Sequence, residues 1–412
     1  MDHQTRNDLQ LIRRTLSLAE RGRGLVSPNP LVGSLVVRGG RVIGEGFHAR
    51  HGERHAEVAA LDACAGAAAG ATLYCNLEPC ATSYGADDTH PSGKLTQPCT
   101  DRIIREGVAR VVVASCDPNP HVAGEGVRQL RAAGIEVVVG LGVDEALPIN
   151  IAYFTNEVLR RPFVHLKVAQ TLDGRIATRS GHSRWITDDS AREHVHRLRG
   201  EHDAVLVGRG TAAADDPQLT DRRPQAAGRT QPWRVVLDSH ARTPPELRMF
   251  SDAHAARTVV CVSGPPGVGE AAGADTRSQA FERSGATVLR VPAAAPGEVG
   301  VDVAGVLDAL WLLGVRSILV EGGQAVYTSF VRQGLFDQLT AFIAPTLVGD
   351  GVDPIGPLAL QRLADAPRLE QFSITAIGDQ AVATGYRSLP PIRQAVMPAR
   401  RDASAAVLAA QE

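Results

Sequence analysis

Residues 55–68 read HAEVAALDACAGAA, residues 71–76 ATLYCN, residues 77–80 Leu-Glu-Pro-Cys, and Pro98 leads into CTDRIIREGV at residues 99–108. A helix opening at His55, a β-rich run and a second helical start behind a proline describe helix, strand, helix. The alternation extends both ways. Upstream, Leu9, Ile12, Leu16 and Ala19 stand at helical spacing, and residues 31–37 and 41–46 read as strands about Arg38-Gly39-Gly40. Downstream come a strand at 110–114, a helix at 127–133 and a strand at 135–139, an α/β arrangement. The pattern pauses from Pro148 to Pro162. A second α/β series then starts with FVHLKVA at 163–169 and runs through DAVLVG, WRVVLD, TVVCVS, ATVLRV and SILVEGG. The reading is therefore two domains, 1–150 and 160–390, with a flexible Arg/Ala-rich tail at 391–412. Ala/Gly/Pro-rich stretches at 264–285 and 292–300 read as mobile surface loops.

The bulk properties agree. A chain of 412 residues exceeds one ordinary core, and 44% hydrophobic with 21% charged residues fits a globular protein. The charged N-terminal stretch lacks a signal-peptide core, and no apolar run approaches about 18 residues, which predicts a cytoplasmic protein and no membrane association. A net charge of -2 without a basic block argues against nucleic acid. Six cysteines are too few for a disulfide scaffold. Of 43 basic residues only Lys94 and Lys167 are lysines, so each is a rare choice.

His55, Glu57, Cys80 and Cys99 supply one imidazole, two thiols and a carboxylate, the groups of a zinc deaminase. Three protein ligands leave zinc a fourth position for water, whose pKa the metal lowers towards neutrality. Glu57, two residues from His55, is expected to move protons rather than bind metal.

This half resembles the cytidine deaminase-like superfamily, and more closely the deaminase domain of the bifunctional riboflavin-biosynthesis deaminase–reductases. Pro28-Asn29-Pro30 with Val32-Gly33, the His55-Ala56-Glu57 triplet, LEPC ending at Cys80, and Asp117-Pro118-Asn119-Pro120 carry the likeness. It implies a three-layer domain in which Asn29 reads the substrate base. One departure stands out: eighteen residues separate Cys80 from Cys99, far more than in relatives. Cys99 is retained as a ligand because Pro98-Cys99 still leads into a helix; Cys75 reads as packed within a strand, and His90 as a competing ligand. The lengthened segment borders the expected pyrimidine pocket, and Lys94 within it reads either as solvated or as a phosphate contact.

The second half resembles the reductase domain of the same family, similar in fold to dihydrofolate reductase. KVAQTLDGR at 167–175, Ser183-Arg184-Trp185-Ile186-Thr187, LRGEHDAVLVGRGT at 198–211 and Ala214-Asp215-Asp216-Pro217-Gln218-Leu219-Thr220 carry this likeness. Glu321-Gly322-Gly323-Gln324 after a strand fits a phosphate cradle at a helix start. No strand-linked G-x-G-x-x-G is present, so a Rossmann domain is not indicated. The resemblance implies NADPH contacts from Ala169, Trp185, Thr211, Asp215 and Ser239, and from the run Gly323, Gln324, Ala325, Val326, Tyr327, Thr328 and Ser329. It implies substrate contacts from Lys167, Ser183, Arg199, Leu219, Arg222 and Glu321; paired guanidinium donors suit a ribose phosphate.

The family implies two steps on a small phosphorylated pyrimidine. A diaminopyrimidinone ribosylamine 5'-phosphate loses an amino group by hydrolysis, and NADPH then reduces the ribosyl group to ribityl. A homo-oligomer, dimer or tetramer, is also expected. The alternatives are a paralogue acting on another pyrimidine in secondary metabolism, and a reductase with a degenerate deaminase half.

Overall fold

The computed structural model describes residues 1–81, 97–264, 267–268, 276–295, 300–387 and 389–397. His90 and Lys94 lie outside the described residues. The chain forms two compact units, Met1–Arg160 with Pro390–Glu412, and Arg161–Leu389.

In the first unit α1 (His3–Ala19) precedes an antiparallel pair, β1 (Gly33–Arg38) and β2 (Arg41–Phe47). Then follow α2 (Ala56–Ala63), β3 (Thr72–Leu77), α3 (Cys99–Arg105), β4 (Arg110–Ser115), α4 (Glu125–Ala132) and β5 (Glu136–Val139). The sheet order is β2-β1-β3-β4-β5, with β3, β4 and β5 parallel. Val111, Val112 and Val113 are fully buried because helices cover both faces of a parallel sheet. Ile12 and Leu16 of α1 close one face and Ala60, Leu61, Ile103 and Leu130 the other. Each large apolar side chain removed from water contributes about 1.5–3 kcal/mol. Two short helices, α5 (Val143–Ala146) and α6 (Ile151–Leu159), end the unit.

The second unit carries β6 (Phe163–Thr171), β7 (Ala177–Thr178), α7 (Asp189–Glu201), β8 (Ala204–Gly208), α8 (Arg209–Asp215), β9 (Trp233–Leu237), β10 (Thr258–Ser263), β11 (Gly267–Val268), α9 (Thr276–Arg283) and β12 (Thr287–Val291). After these come α10 (Val303–Leu312), β13 (Ser317–Val320), α11 (Gln324–Gln333), β14 (Gln338–Ala344), β15 (Gly351–Val352), β16 (Glu370–Ile377) and β17 (Gln380–Tyr386). The large sheet runs β11-β12-β10-β9-β8-β13-β6-β14-β17-β16. From β12 to β14 it is parallel; β14, β17 and β16 pair antiparallel.

Three local expectations are corrected. The pause before Pro162 contains α6, where Ile151 and Phe154 are buried. The stretch at 264–285 contains α9, anchored by the buried Phe281. The tail begins as α12 (Leu389–Val396), whose Ile392 and Val396, one turn apart, are buried, and whose Val396 carbonyl accepts the Cys116 amide at 2.9 Å. In each case burial of apolar side chains, not local composition, holds the helix. The antiparallel edge formed by β14, β17 and β16 was not read from the sequence at all. Among the described residues no helix is long and apolar enough to cross a membrane.

Candidate functional site

In the first unit the ends of three elements meet. His55 caps α2, Cys99 is the first residue of α3, and Cys80 lies just past β3. His55 Nδ1 is 3.3 Å from Cys99 Sγ and 3.5 Å from Cys80 Sγ, and the three ligand atoms lie within 4.8 Å of one another. Tetrahedral zinc with bonds of about 2.0–2.3 Å places its ligands roughly 3.3–3.8 Å apart, so this donor set fits the ion. Among the described residues no other such group occurs. The Cys80 thiol is held well below its usual range by its hydrogen bond with Cys99, against burial and with help from His55; Cys99 is pushed up by the same bond and by burial. A divalent cation compensates the second thiolate that burial otherwise disfavours.

Glu57 stands in the first turn of α2 and is 4% exposed. Burial pushes its carboxyl up to about 7 against the pull of His55, in the range suited to proton transfer at neutral pH. Asn29 approaches the same place: its Nδ2 donates to His48 Nε2 at 3.1 Å, while His48 Nδ1 bonds the Arg54 carbonyl at 3.0 Å. That carbonyl fixes the proton on Nδ1 and leaves Nε2 as acceptor. The His48 ring packs edge-on to His55 with centroids 5.7 Å apart. Sequence reading missed His48, because a lone histidine after a strand carries no spacing signal. It also gave Glu78 no role. The buried Glu78 carboxylate accepts the backbone amides of Asp117 at 3.2 Å, Gly124 at 3.0 Å and Val127 at 3.1 Å. Gly126 is required here, since a Cβ would lie 2.1 Å from the Pro79 carbonyl. The segment before α4 is thereby held against Pro79-Cys80.

In the second unit, parallel register does the assembling. Val320 of β13 pairs with Leu166 of β6, so Glu321 and Lys167 emerge level with each other. The Glu321 carboxylate takes both Arg199 donors at 2.6 and 2.9 Å and lies 3.8 Å from Lys167 Nζ. Burial alone raises this carboxyl; Arg199, then Lys167, more than reverse that and hold it at about 2. Burial lowers the Lys167 amine. Leu219, at φ +53, turns the chain beside this group. Arg199 Nη1 and His196 Nδ1 both bond the Thr220 carbonyl, at 3.4 and 3.0 Å, and His196 Nε2 accepts from Arg222 at 3.2 Å. His196 is a second residue the sequence reading missed.

Ala169, Thr211, Ser239 and Gly323 lie at or a few residues past the carboxyl ends of the parallel strands β6, β8, β9 and β13, where ligands of such sheets bind. Ala169 follows Lys167 by two residues on β6, and Ser239 follows β9. Gly322 allows β13 to approach β8, because a Cβ would be 2.6 Å from the Gly208 nitrogen. Gly323 caps α11, and a Cβ on it would be 3.4 Å from Thr211 Oγ1. Asp215 ends α8 and pairs with Arg184 at 3.0 Å. Trp185 is 72% exposed under the Arg192 guanidinium, 4.6 Å from its ring centroid, and Ser183 in the same segment is half-buried. The run from Gly323 to Ser329 divides. Tyr327 is buried and donates to the Lys167 carbonyl at 2.5 Å, and Thr328, also buried, bonds the Gln324 carbonyl at 2.6 Å and accepts the Gly356 amide at 2.8 Å. Ser329 bonds the Ala325 carbonyl at 3.0 Å. A helix turns its residues through about 100° each, so seven in succession cannot face one ligand. Gly323 and Gln324 stand at the start of α11, whereas Tyr327 and Thr328 are turned into the interior.

A nucleobase-type zinc deaminase unit joined to a dihydrofolate reductase-like unit is the class this fold and these sites define. Residues 5–115 match the cytidine and deoxycytidylate deaminase zinc-binding region, and residues 162–383 the RibD C-terminal domain. The riboflavin biosynthesis protein RibD of Aquifex aeolicus is 38% identical over 375 residues, 91% of this chain and 97% of that protein. A solved RibD of Acinetobacter baumannii is similar over 93% of this chain and 99% of its own, with 31% identity and a TM-score of 0.77. A diaminohydroxyphosphoribosylaminopyrimidine deaminase/5-amino-6-(5-phosphoribosylamino)uracil reductase of Thermotoga maritima is similar over 94% and 100%, with 33% identity and a TM-score of 0.74. The chain belongs to the RibD family of riboflavin biosynthesis.

Proposed function

We propose that the chain performs two consecutive steps of riboflavin biosynthesis, deaminating a diaminopyrimidinone ribosylamine 5'-phosphate and then reducing its ribosyl group to ribityl. The convergence of His55, Cys80 and Cys99 beside Glu57 carries the reading, because a degenerate deaminase half would have no reason to retain it. Zinc bound by those ligands supplies the Lewis acidity that makes water nucleophilic at neutral pH. Glu57 takes the proton of the attacking water and delivers it to the departing amino group, so that ammonia leaves as the ring carbonyl forms. Asn29, steered by His48, orients the base. In the second unit the residues below would hold NADPH, which would supply a hydride to the sugar carbon bonded to nitrogen while that carbon's bond to the ring oxygen breaks and the oxygen takes up a proton. Lys167 and Glu321 face the sugar, Ser183 and the backbone at Leu219 border it, and Arg199 and Arg222 lie towards the phosphate. Gly323 and Gln324 present the α11 terminus to a cofactor phosphate, with Ala169, Thr211, Asp215, Trp185 and Ser239 around it.

Chelating the metal tests the division of labour. Ammonia release from the diaminopyrimidine should cease and return with added zinc, while NADPH oxidation on the already deaminated pyrimidine continues at its original rate. Parallel loss of both rates would refute two separate sites. The lengthened segment between Cys80 and Cys99 keeps the other-pyrimidine alternative concrete: a zinc-loaded protein that leaves the riboflavin precursor untouched would establish it.

A small-molecule substrate in place of nucleic acid agrees with the net charge of -2, and a cytoplasmic location with the phosphorylated substrate. A homo-oligomer is supported by β16, an edge strand exposed on both faces, with Phe372 56% and Ile374 63% exposed, preceded by Leu363 at 91%. Apolar edge strands seek a partner strand. Ile374→Lys is expected to shift the mass measured by light scattering to a smaller species; an unchanged mass would place the interface elsewhere.

A further inference from the structure

Eighteen residues separate Cys80 from Cys99, yet the two thiols are brought to one point. Closing a longer segment costs more chain entropy, so something must hold its base. Gln129 of α4 spans that base. Its Oε1 accepts the Thr100 hydroxyl at 2.9 Å, and its Nε2 donates to the Ala81 carbonyl at 3.3 Å and to Glu125 Oε1 at 3.0 Å. Ala81 follows Cys80 and Thr100 follows Cys99, so one carboxamide grips the neighbour of each thiol. Thr100 is fully buried and Ala81 is 7% exposed, which shields these bonds from water. Two backbone links run alongside: the Thr100 amide donates to the Cys80 carbonyl at 3.2 Å, and the Cys99 amide to Cys80 Sγ at 3.4 Å. α4 is itself immobilised, through the Val127 amide on Glu78 and the contact of Gly126 with Pro79.

We propose that Gln129 is a positioning residue of the zinc site, acting through Ala81 and Thr100 to keep the two thiols within reach of one ion. The proposal rests on the reading that His55, Cys80 and Cys99 bind zinc. The task calls for a donor and an acceptor on one side chain. Leucine fills a similar volume with neither, and glutamate loses the donor while adding charge beside Glu125.

The test follows zinc leaving the full-length, zinc-loaded protein for a chromogenic chelator. Gln129→Leu is expected to release zinc about 10- to 100-fold faster, the range for residues that support metal ligands. Reductase kcat and KM on the deaminated pyrimidine should not move, which shows that the chain is folded. Thr100→Val breaks the same link from the other side and serves if Gln129→Leu does not fold. The double variant should release zinc no faster than the faster single one. Thr100→Ser keeps the hydroxyl and should keep the wild-type rate. Wild-type zinc release from Gln129→Leu, or accelerations that multiply in the double variant, overturns the clamp alone. A wild-type protein that binds no zinc overturns the zinc reading and the clamp with it.

Discussion

Glu57→Gln should give a protein that retains zinc and reduces the deaminated pyrimidine at the wild-type rate, yet releases ammonia about 10²- to 10⁴-fold more slowly. The amide preserves the volume of the buried side chain but has no basic oxygen for the proton of the attacking water. Nor can it return that proton to the amino group, whose departure as an anion is prohibitive. Zinc retention is expected because Glu57 is two residues from His55 on the helix and is not among the three converging ligand atoms. Metal content, ammonia release and NADPH oxidation measured on one preparation separate the cases. Loss of zinc together with ammonia release would show Glu57 to be part of the metal-binding framework; undiminished ammonia release would remove it from the reaction.

Glu321→Gln should damage both stability and reduction in the second unit. The wild-type carboxylate is the shared counter-charge of Arg199 and Lys167, whose side chains are 13% and 14% exposed. Removing it leaves two nearly buried cations uncompensated, at a cost of about 3–5 kcal/mol. For a unit of this size that lowers the unfolding midpoint by roughly 6–20 °C. The charged hydrogen bonds lost at the sugar, about 1.5–3 kcal/mol, correspond to roughly 10- to 150-fold in reductase kcat/KM. Acid sensitivity provides a further check. The Glu321 carboxyl is held at about 2 in the folded chain against 4.5 as the ordinary value, so its contribution is complete above pH 4.5 and is lost as pH falls towards 2. That contribution is about 3 kcal/mol. Between pH 5 and 3 the wild type should lose stability faster than Glu321→Gln, as followed by calorimetry. Parallel acid unfolding of the two proteins would show that the carboxylate is not ion-paired in solution.

Sequence and structure part company at identifiable places. The His55, Cys80 and Cys99 set was legible because metal chemistry admits few residue types, and because each ligand stands at the start of a helix or just past a strand. Gly322-Gly323 was legible as a glycine pair between a strand and a helix, whereas the close approach of β13 to β8 at Gly322 was visible only in the structure. The helices at 151–159, 276–283 and 389–396 were not, since their burial depends on partners distant in sequence. His48 and His196 act through a backbone carbonyl on one nitrogen and a side chain on the other, a relation with no period along the chain. Tyr327 shows the converse relation: residues 323–329 are contiguous in sequence, while helical rotation buries Tyr327 and Thr328.

Composition, motif order and the rarity of lysine by themselves determined two α/β units, a zinc donor set with a carboxylate two residues from its histidine, and a glycine pair between strand and helix outside any Rossmann pattern, because each needs particular residue types at short range. Tertiary structure alone decided that the thiols meet across their long separation, that Glu321 lies level with Lys167, and that Gln129, His48 and His196 are hydrogen-bonded beside these groups. Those relations are fixed by strand register, by helix docking and by buried hydrogen bonds between residues far apart in sequence.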